Sequence, residues 1–177
     1  MPSNNHNQSD ALVFFGATGD LAHKKIFPSL QAMIKHGYLN VPVIGVAKSG
    51  WTIEQLRDRA RDGITKYGGG VDEAAFKKLC DLMSYIDGDY NDDNTYAQLK
   101  KALGNAQAPT HYLAIPPTLF PTVVTGLGRS SCGQNARERV REAGLIGVRR
   151  CRRVQSIAGF PIAAEPNERH RVSERRL

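Results

Sequence analysis

Residues 11–28 read ALVFFGATGDLAHKKIFP, and the way this stretch folds decides the rest of the chain. Ala11 to Phe15 is an unbroken apolar run, the pattern of a strand buried on both faces of a parallel sheet. Gly16-Ala17-Thr18-Gly19 interrupts it. From Asp20 onward, apolar residues recur at 21, 22, 26, 27, 30, 33 and 34, which is one face of an amphipathic helix. A strand, a glycine turn and a helix start together make an anion site. Gly16 permits the tight turn, Gly19 lets the backbone come close to a pyrophosphate, and the free N–H groups of the first helical turn face the anion. Asp20 is expected to cap those N–H groups. The spacing is G-x-x-G-x-x-A rather than G-x-G-x-x-G, so the glycines carry the nucleotide reading only together with the strand and helix around them.

Downstream, Val41–Ala47 reads as a second buried strand ending at Lys48-Ser49-Gly50. An NAD-binding turn of this kind places a carboxylate about twenty residues past the glycines, where it accepts from the ribose hydroxyls. Residues 45–50 contain none. Lys48 and Ser49 stand there instead, a cation and a hydroxyl suited to a 2′-phosphate. This favours NADP over NAD and leaves dual use open; a plain surface lysine at a strand end is the competing reading.

Residues 51–67, with Thr52 as the cap, and 72–83 show helical periodicity, and Gly68-Gly69-Gly70 separates them. Ser84–Asp87 is a short strand closed by Gly88-Asp89-Tyr90. Asp93–Leu103 is a helix and Thr110–Ile115 a fourth strand, stopped by Pro116-Pro117. Phe120–Leu127 begins a further helix. The order is β-α-β-α-α-β-α-β-α, which short right-handed crossovers turn into an open parallel sheet. The expected fold class is α/β: an incomplete, Rossmann-like, doubly wound parallel sheet, with its order breaking beside the first strand and a non-native or disordered basic tail.

The residues of the glycine turn also carry a resemblance. Residues 16–30, GATGDLAHKKIFPSL, resemble the N-terminal coenzyme signature of the glucose-6-phosphate dehydrogenase family, G-A-S/T-G-D-L-A-x-K-K-I-x-P. Gly88-Asp89-Tyr90 is similar to the family's G-x-Y, and YLAIPPTLF (112–120) to its Y-L-A-x-P-P-x-x-F. The resemblance implies that Gly16, Ala17, Thr18, Gly19, Asp20 and Leu21 meet the coenzyme phosphates. It places Lys48 and Ser49 at the 2′-phosphate, Tyr90 beside the adenine, and Ile115 and Pro116 by the nicotinamide half. A tyrosine at the edge of the core is the other reading of Tyr90. The family usually has Arg where Lys48 stands; Lys keeps the charge but not the fork or the stacking face. The implied parent activity is oxidation of D-glucose 6-phosphate to the lactone with NADP, the family's members oligomerising through a domain not seen here.

The resemblance covers about residues 10–137 and fades after Gly126-Leu127. The family's E-K-P strand and its R-I-D-H-Y-L-G-K-E segment, which carries the hydride-transfer histidines, do not occur in this sequence. No catalytic residue is therefore assigned, and His170 is the tail's one candidate base. Three units are expected: a flexible 1–9, a coenzyme-binding domain at 10–128, and an Arg-rich tail at 129–177.

Charge divides the chain in the same place. Residues 1–128 hold 12 Lys and Arg against 12 Asp and Glu, whereas 129–177 hold 12 Arg, no Lys and 5 Glu, so the whole net charge of +7 lies in the tail. Arginine without lysine fits a GC-rich gene read out of frame. Arg141-Glu142-Ala143 is what a Glu-Lys-Pro coding stretch gives when read one base early. The expectation is a frameshift near Gly128–Arg137 that leaves a four-stranded sheet with one neighbour position open. The alternatives are a nucleotide-binding remnant or a basic interaction protein. The second would bind nucleic acid through its Arg pairs, but no recognition motif or interleaved aromatic accompanies them. No run is long enough to span a membrane, and Cys80, Cys132 and Cys151 form neither a metal cluster nor an even disulfide set, so the chain reads as a reduced, cytoplasmic protein.

Overall fold

The computed structural model describes residues 9–132 and the backbone of 137–139. Expectations for 1–8, for His170 and for most of the tail lie outside the described residues.

Strand β1 (Leu12–Phe15) is followed by the glycine turn, a π-helical turn at Ala22–Ile26 and helix α1 (Phe27–Lys35). Then come β2 (Val43–Ala47), α2 (Ile53–Tyr67), α3 (Glu73–Leu82), β3 (Met83–Asp87) and α4 (Asp93–Leu103). The described chain continues with β4 (Thr110–Leu113), a 3-10 turn at Pro117–Leu119, α5 (Phe120–Arg129) and β5 (Arg137–Arg139). All strand pairs are parallel, in the order β3-β2-β1-β4-β5. The order reverses beside β1, as expected.

The count of strands does not match the sequence expectation. The neighbour position beside β4 is taken by Arg137–Arg139, in register Thr110↔Arg137 and His111↔Glu138. A charged triplet has no apolar pattern to announce a strand. What places it is the free row of β4 backbone donors and acceptors, which any backbone can pair.

The caps follow local chemistry. Thr52 and Gln55 form a reciprocal capping box at the start of α2, and the Asp72 side chain accepts from the Ala75 N–H at the start of α3. Asp20 does not act as expected. It already lies within the first helical turn, and its carboxylate pairs with Lys24 at 2.9 Å and Arg59 at 3.5 Å. The i,i+4 spacing puts Lys24 on the same face, and that pair holds the Asp20 carboxyl below its ordinary range.

Two cores flank the sheet, because successive strand residues point to opposite faces. Phe14, Val43 and Ala47 pack with Phe27, Leu30, Leu56, Ile64 and Leu79 of α1–α3. Val13, Phe15, Ile44 and Val46 pack with Tyr96, Leu99, Phe120 and Val123 of α4 and α5. Burying one such side chain contributes about 1.5–3 kcal/mol. With β2 buried at every position, the sheet has no solvent-facing side, so ligand access is left to the strand ends.

Candidate functional site

The carboxyl ends of β1 to β4 bring two groups of residues to one edge of the sheet, at the switch in strand order where open α/β sheets form their binding crevice.

The first group is the glycine turn. Gly16 has φ +83°, and a Cβ placed on it would run into the Ala114 carbonyl oxygen and lie 3.1 Å from Ile115 Cγ2. Only glycine lets β1 turn this close to the end of β4. The Gly16 N–H donates to Val46 O at 2.8 Å and to the Tyr90 hydroxyl at 3.0 Å, and the Ala17 N–H also reaches Val46 O, at 3.2 Å. Gly19 N–H closes the turn onto Gly16 O at 3.0 Å. Among the described residues, the N–H groups of Thr18, Asp20 and Leu21 have no acceptor. The turn is therefore braced from below by three N–H groups and presents three others at a helix start, the arrangement that receives phosphate.

Tyr90 is part of that brace. Its hydroxyl accepts from Gly16 and donates to Val46 O at 3.3 Å, and its ring stands edge-on to Phe15 with centroids 5.7 Å apart. Burial pushes the phenol pKa up, so Tyr90 keeps its proton to donate. Ile115 lines the turn from the β4 side, while Pro116 is exposed and extended at the start of the 3-10 turn. The fourth strand stops at Leu113 rather than Ile115, although Ala114 still donates to Phe15 O at 3.0 Å.

The second group joins the ends of β2 and β3. Lys48 Nζ donates to Asp89 Oδ2 at 2.6 Å. Ser49 and Gly50 both donate their N–H groups to Asp87 Oδ1, at 2.8 and 2.9 Å, and Ser49 Oγ is bonded to the Tyr85 hydroxyl at 2.8 Å. Lys48 holds the Asp89 carboxyl down at about 2, and Asp89 raises the Lys48 ammonium in return. The two backbone N–H groups lower Asp87, while burial first of all raises Tyr85 to about 12. Asp87, Asp89 and Tyr85 were not among the sequence-derived candidates. The signal was present in the alternation of 85, 87 and 89 at a strand end, but nothing in the sequence joins them to Lys48, forty-one residues away from Asp89.

The residues present fit a dinucleotide: a glycine turn held tight against β4 with N–H groups left at a helix start, and a cation with a hydroxyl at the neighbouring strand end. A family profile described as "Glucose-6-phosphate dehydrogenase, NAD binding domain" matches residues 13–142. That runs past residue 137, where the resemblance was expected to end, and takes in β5. The chain is 38% identical over 129 residues to glucose-6-phosphate 1-dehydrogenase 1 of Mycobacterium tuberculosis, covering 73% of this chain and 28% of the relative. It is 32% identical over 144 residues to the Kluyveromyces lactis enzyme, covering 76% and 29%. The crystal structure of the Mycobacterium avium glucose-6-phosphate 1-dehydrogenase superposes with a TM-score of 0.77 at 36% identity, covering 84% of this chain and 33% of that one. The chain thus spans a little under a third of these relatives' length.

Proposed function

The chain belongs to the glucose-6-phosphate dehydrogenase family, and on that premise we propose that residues 10–128 bind NADP in preference to NAD. The observation that carries the reading is the braced glycine turn, whose unpartnered N–H groups lie at a helix start. Gly16, Ala17, Thr18, Gly19, Asp20 and Leu21 would hold the pyrophosphate. Lys48 and Ser49 would meet the 2′-phosphate, Tyr90 would support the turn beneath the coenzyme, and Ile115 and Pro116 would bound the nicotinamide side. When bound, the coenzyme supplies a hydride acceptor. The residues of this chain bind and orient it, and on the β4 side two consecutive prolines offer no backbone donor.

The parent reaction is oxidation of D-glucose 6-phosphate to its lactone, carried out in the cytoplasm by an oligomer. Among the described residues no histidine stands at the strand-end site: His23 is paired with Asp62 at 2.7 Å on the α2 side, and His111 is buried in the core. The polypeptide is expected to bind coenzyme without turnover, since among the described residues no group at the site is placed to transfer the proton or position the sugar. Calorimetric titration with NADP and NAD, followed by NADPH absorbance in the presence of glucose 6-phosphate, tests this. Binding of NADP without turnover is the expected result; turnover, or tighter binding of NAD, overturns it.

A further inference from the structure

The β2–β3 corner contains a feature that a simple 2′-phosphate receptor would lack. Among the described residues Lys48 is the cation of this corner, and it is already engaged by Asp89 at 2.6 Å. The pair is not a consequence of burial, since the Lys48 side chain is 70% and the Asp89 side chain 37% exposed. Asp89 is nevertheless fixed in direction. Its Oδ1 accepts from the Asn91 N–H at 2.9 Å and from Asn91 Nδ2 at 3.0 Å, and its carbonyl accepts from Thr95 Oγ1 at 2.7 Å. Oδ2 is thereby left pointing at the ammonium. The second carboxylate of the corner, Asp87, is taken up by the Ser49 and Gly50 N–H groups and the Tyr85 hydroxyl. An arriving 2′-phosphate has to displace a held carboxylate from Lys48 or share the ammonium with it, and in either case two like charges face each other. A ribose with free hydroxyls meets no such conflict.

We propose that Asp89 is a specificity-determining residue that competes with a 2′-phosphate for Lys48, so that this chain separates the two coenzymes less sharply than Lys48 would by itself. The inference rests on the reading of Lys48 as the 2′-phosphate partner.

The test uses the full 177-residue chain and two probes that differ only in the 2′-phosphate, adenosine 2′,5′-bisphosphate and adenosine 5′-monophosphate. Trp51, the chain's single tryptophan, lies three residues past Lys48 and reports binding by its fluorescence. Asp89→Asn keeps an Oδ1 for Asn91 and removes the charge. It should raise the affinity ratio of bisphosphate to monophosphate about fivefold, the range of an exposed charge pair, with the gain shrinking at high salt. Lys48→Met should lower that ratio, and the double variant should show no gain from Asp89→Asn. If Lys48→Met lowers the ratio but Asp89→Asn leaves it unmoved, the Asp89 proposal falls and the Lys48 reading stands. If Lys48→Met leaves the ratio unmoved, the Lys48 reading fails and takes the proposal with it.

Discussion

The glycine turn and the β2–β3 corner sit at the same edge of the sheet but are made of different materials. The turn is built of backbone: Gly16, Ala17 and Gly19 spend their N–H groups holding its shape, and its free donors come from peptide units. The corner is built of side chains, with Lys48, Ser49, Tyr85, Asp87 and Asp89 satisfying one another across two strand ends. A backbone cradle cannot be neutralised or re-aimed by one substitution outside it, whereas a side-chain network can be retuned by a single charge. On the proposed reading, whether a phosphate is bound and which ribose is accepted would thus be controlled separately.

The largest effect expected is at the turn. Gly16→Ala forces a Cβ against the Ala114 carbonyl at a φ of +83°, and should cost roughly 4 kcal/mol of stability while abolishing binding of both coenzymes. Thermal melts and calorimetry on the same preparation check both halves. A variant that still binds would show that the cradle tolerates rebuilding.

Acid separates the sheet interior from the corner. His111, buried in β4 with Nε2 3.0 Å from Cys132 O and Nδ1 without a partner among the described residues, is held neutral by burial, its pKa depressed to about 4. The unfolded chain takes up a proton near 6.5 and the folded one does not, so stability falls as pH drops from 6.5 to 4, by roughly 3 kcal/mol. Asp89 acts lower. Its pair with Lys48 is fully present above the unfolded carboxylate value near 3.9 and is lost only as pH falls through about 2. Melts from pH 7 to 4 should therefore decline in the native chain and flatten in His111→Gln, while Asp89→Asn keeps the native slope. A slope that followed Asp89 instead would reverse the assignment.

Tyr90→Phe gives the smallest change. It removes one of two acceptors from the Gly16 N–H and should cost about 1 kcal/mol, weakening NADP and NAD equally. A selective loss of one coenzyme would move Tyr90 from the turn to the ribose corner.

Legibility in the sequence follows the same division. The four apolar strands and the glycine turn are local patterns, and their elements stand within one or two residues of expectation. Asp20 sits at a capping residue type, yet Lys24 one turn on and Arg59 from α2 compete for its carboxylate. Lys48 was visible as a cation lacking a nearby carboxylate in sequence. Its partner comes from another strand, and parallel neighbours are by nature far apart along the chain. β5 left no apolar trace because its three residues are all charged, and what is seen of its placement is its backbone pairing with β4.

The position of β1 between β2 and β4 has a consequence for the order of assembly. Leu12 pairs with Val43 on one side and Thr110 on the other, a loop roughly three times longer, which adds about 1 kcal/mol of closure entropy. The clasp on that side is equally remote: Asp10 accepts from the Ala108 N–H at 3.0 Å, and Ser9 Oγ donates to Ala108 O at 3.1 Å. The β1–β2–β3 half can therefore organise while β4 is still being sought, and the seam where the glycine turn meets Ala114 closes last. Pulse-labelled amide exchange during refolding should protect Ile44 and Val46 before Ala114.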